Sequence, residues 1–126
     1  MIDPLNVPPV EDNELLARYI LQSKSWREDG TIKPDVFIPY KKQELSVTRH
    51  RETTDNELWT IGNNVTIQRQ KTLYGRVDIQ AKDCQIETLE VKAKPLEDNP
   101  NHADITGFPP SKPEQKALAL KIAASK

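Results

Sequence analysis

At 126 residues, 36% of them apolar, the chain has room for one packed core but not two; with only two Trp, three Tyr and two Phe, that core must be mainly aliphatic. Eighteen basic residues against nineteen acidic ones leave a net charge of -1. With the two signs interspersed, there is no cationic footprint for a phosphate backbone, which argues against nucleic acid as a partner. No apolar run of about 18 residues occurs and Met1 opens no leader pattern, so no membrane span or export is expected.

One domain over residues 1–126 is expected, with residues 1–11 an extended arm because Pro4, Pro8 and Pro9 exclude regular structure. Asp12 or Asn13 can cap a helix over residues 14–23 whose Leu15, Leu16, Tyr19 and Ile20 share one face. Asp29-Gly30 marks a turn, and Val36-Phe37-Ile38, held between Pro34 and Pro39, reads as an edge strand or extended loop.

Residues 45–51 alternate as a strand, with Leu45, Val47 and Arg49 on one face and Ser46, Thr48 and His50 on the other. Thr54-Asp55-Asn56-Glu57 has the form of a capping box opening a short helix, which Gly62-Asn63-Asn64 can stop. Val65-Thr66-Ile67-Gln68 is expected to be extended. Val77, Ile79 and Ala81 alternate with Arg76, Asp78 and Gln80, and a turn near Lys82-Asp83 leads to a strand within residues 86–94, the two forming a hairpin or meander. Residues 95–110 read as a long irregular stretch. Ser111-Lys112-Pro113-Glu114 then forms a second capping box before a terminal helix, with Ala117, Leu118, Ile122 and Ala124 on its buried side. The fold class is therefore α+β, a small antiparallel sheet packed by an N-terminal helix, a short middle helix and a C-terminal helix.

Few residues offer chemistry. His50 lies between Arg49 and Arg51 and reads as a solvated strand residue, while His102 in the irregular stretch has Asp104 two positions on, able to orient its imidazole. A His-x-Asp pair lacks the three or four ligands of a zinc signature, so no metal site is expected. Arg49 and Arg76 project from strands. Arg76 can pair with Asp78, and guanidinium groups gathered on one sheet face can hold a carboxylate or phosphate. Cys84 has no partner cysteine, which fits a reducing compartment and a cytoplasmic location. Four glycines and no glycine-rich phosphate loop argue against a nucleotide cofactor, and no cofactor is expected.

Leu45-Ser46-Val47-Thr48-Arg49, Leu73-Tyr74-Gly75-Arg76-Val77-Asp78-Ile79 and Asn101-His102-Ala103-Asp104-Ile105-Thr106-Gly107-Phe108-Pro109, together with Trp59-Thr60-Ile61-Gly62 and the Ala-rich end, resemble a group of small uncharacterised bacterial proteins. Phe108 stands where that group usually has Trp. The resemblance implies no activity, but it points to Arg49, Arg76, Asp78, His102 and Asp104 as binding positions. Two functional readings result. The first is a bacterial protein-interaction module without catalysis, partnered by another protein through its arm and long loop. The second is a small enzyme or anionic-ligand binder in which His102 and Asp104 fold over the Arg49/Arg76 face.

Overall fold

The structure, a computed structural model, describes residues 7–39 and 44–124. Five strands, β1 (Leu15–Ile20), β2 (Leu45–Arg49), β3 (Gly75–Gln80), β4 (Glu90–Ala93) and β5 (His102–Thr106), form one antiparallel sheet in the order β3-β1-β2-β5-β4. Three helices accompany it: α1 (Asp55–Arg69), the single turn α2 (Ala81–Cys84) and α3 (Lys112–Ala124). The α+β class and antiparallel sheet are as expected, and so are the middle and C-terminal helices.

Local chemistry explains several elements directly. In β2 the expected alternation puts Leu45, Val47 and Arg49 inside. The Thr54 hydroxyl accepts from Glu57 N–H at 3.2 Å while the Glu57 carboxylate accepts from Thr54 N–H at 3.1 Å, completing the capping box that starts α1.

Four segments depart from expectation. Residues 14–23 are not a helix: Leu15–Ile20 is the strand β1, and helix in this region is limited to a 3-10 turn over Ser23–Ser25. Both faces of β1 are covered, so Leu16, Ala17, Tyr19 and Ile20 are all buried, and such a run fits strand and helix patterns alike. Pro34–Phe37 is a 3-10 turn rather than an extended segment. Helix α1 does not stop at Gly62 but continues through residues 65–68 to Arg69, ending on Gln70 in the left-handed region at φ 55°. Gly62 is retained for close packing. A Cβ there would lie 2.6 Å from Tyr19 Cε1, on a ring anchored by its hydroxyl bond to Leu58 O at 2.6 Å.

Residues 95–110 are not irregular throughout, because His102–Thr106 forms β5, inserted between β2 and β4. Consequently β3 and β4 are not a hairpin but the two edges of the sheet. Helix α2 packs against both edges, and Gln85 just beyond it donates to Asp12 Oδ1 at 2.6 Å and accepts from Val91 N–H at 3.5 Å. The sheet is therefore curled, its edge strands brought toward one another across α2.

The concave side is the core. Leu16 and Ile20, Leu45 and Val47, Val77 and Ile79, Val91, Ala103 and Ile105 pack there with Phe37, Cys84, Leu118 and Ile122. On α3, Gln115, Leu118, Ala119 and Ile122 face inward, whereas the expected Ala117 and Ala124 are exposed. Helix α1 covers the opposite side of the sheet, resting Leu58 and Gly62 on Tyr19. Among the described residues no helix is long and apolar enough to cross a membrane.

Candidate functional site

Arg49 and Arg76 lie on opposite sides of the sheet. Arg49 is registered with Leu16 on the core side, and Arg76 with Tyr19 on the α1 side. At 1% exposure, the Arg49 guanidinium is used up inside the fold. It bonds Glu14 through Nε at 2.7 Å and Nη2 at 2.8 Å, and the carbonyls of Pro8 and Pro9 at 2.7 and 3.3 Å. This clamp ties down residues 7–11, which have no helix or strand; residues 1–6 of the expected arm lie outside the described residues.

Arg76 and Asp78 form a separate cluster. Arg76 Nε lies 3.2 Å from Asp78 Oδ1, which also meets His50 Nε2 at 3.0 Å; Nη2 pairs with Asp55, and the guanidinium carbon sits 4.9 Å from the Trp59 ring centroid. Burial alone would raise the Asp78 carboxyl, but His50 and Arg76 outweigh it and hold it below the usual range.

His102 and Asp104 are on β5, on the same side as Arg76 and Asp78. The register runs His102, Thr48, Ala17, Asp78 across four neighbouring strands, three strand spacings or about 14 Å. The expected closing of an irregular segment over both arginines therefore does not occur: His102 is held on a strand, and Arg49 faces the other way. A carbonyl can only accept, so His102 Nδ1, 2.9 Å from Lys94 O, carries a hydrogen, while Nε2 lies 3.5 Å from Asp104 Oδ1. Ser46 Oγ approaches the same carboxylate at 3.4 Å.

The residue that sequence reasoning missed is Arg18. The ladder between β1 and β2 holds two registered pairs, Leu16 with Arg49 and Ala17 with Thr48. Beyond them the Ser46 carbonyl, where continued register would bring the Tyr19 N–H, accepts instead from Arg18 Nη1 at 3.0 Å. Arg18 Nε donates to Val36 O at 3.0 Å. The guanidinium thus fills the parting between two strands, held by these two carbonyls. Among the described residues neither Arg18 nor Arg69 forms an ion pair. Burial pushes Arg18 down to about 10, and the neighbouring Arg69 charge adds to the shift. The available signal was an arginine in the apolar run Leu15-Leu16-Ala17-Arg18-Tyr19-Ile20, two positions from both Leu16 and Ile20; the helical reading hid it because only a strand puts all three on one side.

Arg18 borders a cleft of about 150 Å³. Tyr19, Ser46, Thr48 and His102 form the floor, Ile61, Asn64, Val65, Gln68 and Arg69 of α1 one wall, and Leu96, Asp98 and Asn99 the other. Gln68 Nε2 reaches Asp98 Oδ2 at 3.2 Å between the walls, and Asn99 Nδ2 anchors the second wall to Thr48 Oγ1 at 3.1 Å. Tyr19 and Cys84 offer no activated group, since burial drives both phenol and thiol up to about 12. Among the described residues no three His, Cys, Asp or Glu side chains gather to hold a metal ion. No family model, curated protein or solved structure matches the chain.

Proposed function

We propose that this protein binds a small anionic ligand in the cleft between α1 and the sheet. The observation that carries the reading is Arg18, a half-buried cation held by two carbonyls, bordering a cavity and, among the described residues, in no ion pair. A desolvated charge without a counter-ion is costly to the fold, and an incoming anion removes that cost. Two donors of the guanidinium are taken; the second Nη1 hydrogen and both on Nη2 remain, a fork suited to two oxygens of one anion. Arg69 adds a second cation at the mouth, and the amides of Asn64, Gln68 and Asn99 supply neutral donors.

This reading keeps the anionic-ligand expectation and the involvement of His102, but replaces Arg49 and Arg76 with Arg18 and Arg69. The test is thermal unfolding with a panel of carboxylates, sulfate and phosphate, followed by calorimetric titration of any that stabilise. An occupied site at one hundred times Kd adds about 2.7 kcal/mol to stability. Arg18→Met is expected to abolish the effect. Asn64→Asp, an exposed change that brings negative charge to the wall, should weaken binding at least tenfold without disturbing the fold. A panel in which no anion shifts the transition sinks the proposal.

A further inference from the structure

We infer that the ligand is a monocarboxylate with a compact apolar body of about six non-hydrogen atoms; this rests on the anion-binding reading above and specifies it. Three features of the cleft select that class.

The first is charge. Arg18 and Arg69 bring two positive charges to the lining and Asp98 one negative, a surplus of one, and Asp104 stands behind His102 at 3.5 Å. A single carboxylate neutralises that surplus. A phosphate monoester, carrying about -1.5 to -2 near pH 7, would bury excess negative charge near Asp98 and Asp104. The second is size. A cavity of about 150 Å³ is the volume that accommodates a benzene-sized guest. The third is the character of the walls. Ile61 and Val65 on α1, Leu96 on the other wall and Leu21 give the cleft an aliphatic surface beside its polar groups, which favours a ligand with a hydrocarbon part. The lining therefore offers cations and hydrocarbon together, Arg18 in the parting of the strands and Arg69 at the mouth beside the aliphatic side chains, matching a molecule that carries one carboxylate on a hydrocarbon body.

The experiment titrates the whole protein with acetate, butyrate, hexanoate, decanoate, benzoate, inorganic phosphate and phenyl phosphate by calorimetry. Affinity is expected to rise about fourfold per added methylene up to hexanoate, to be matched by benzoate, and to fall for decanoate. Val65→Thr, close in shape but with a hydroxyl facing the cleft, should weaken hexanoate more than acetate. Phosphate or phenyl phosphate binding more tightly than benzoate would overturn the ligand class and leave the anion site standing, as would an affinity indifferent to chain length. Silence from every ligand would overturn the underlying anion site as well.

Discussion

Arg49 and Glu14 meet as a two-pronged pair, Nε to Oε1 at 2.7 Å and Nη2 to Oε2 at 2.8 Å, with the arginine enclosed between the sheet and the Pro8-Pro9 carbonyls. The pair fastens the chain ahead of β1 to the end of β2, so a residue that looks like a binding group in the sequence serves the fold. Arg49→Met should destabilise the protein by about 3 kcal/mol, because it removes the cation paired with the Glu14 carboxylate and the donor to two carbonyls. Urea unfolding measures this; a loss below about 1 kcal/mol would show that water replaces the guanidinium.

Acid should loosen the structure through Glu14 and Asp78. Burial raises the Glu14 carboxyl, but Arg49 and the Glu11 N–H outweigh it, so both carboxyls sit below the usual range in the folded chain. A carboxyl depressed by folding stabilises above its unfolded value of about 4, and that contribution disappears as pH falls through the native value. Urea midpoints from pH 7 to pH 2 should therefore fall steepest below about pH 4. Asp78→Asn, which removes a charge paired with both His50 and Arg76, should flatten that decline. An unchanged slope in the variant would assign the acid sensitivity elsewhere.

Gly62 marks where α1 touches the sheet. Alanine there gains about 1 kcal/mol of helix propensity in isolation. Its Cβ, however, would fall within 2.8 Å of two Tyr19 ring atoms, and overpacking of that kind costs about 1–3 kcal/mol. Gly62→Ala is expected to lower stability by about 1 kcal/mol in the native background and to raise it when Tyr19 is replaced by Leu. A double-mutant cycle on urea midpoints isolates the coupling.

Cys84 is fully buried in the core, where burial, helped by the Asp83 charge, lifts its thiol from 9.0 to about 12. At pH 8 iodoacetamide should label it at least about a hundredfold more slowly in the native protein than in urea, since the thiolate is the nucleophile. Because the unfolded thiol ionises first, its contribution is complete below about pH 9 and lost as pH climbs toward 12. Cys84→Ala should show a shallower alkaline decline, read from urea midpoints at pH 8 and pH 10.

Features that depend on neighbours along the chain show in its residue pattern. The Thr54 capping box and the alternation in β2 and β3 are satisfied by residues within a few positions, so their chemistry can be read from the chain alone. Tertiary structure decided β1, whose Leu15, Leu16, Tyr19 and Ile20 fit a helix equally well until α1 and the core cover both sides of it. It also decided β5, a polar stretch between prolines that becomes a strand only because β2 and β4 supply partners on either side. The cleft belongs wholly to this second class. Arg18 faces it because two strands part after Ala17, and such a parting is a relation between segments distant in sequence, which periodicity along one segment cannot encode.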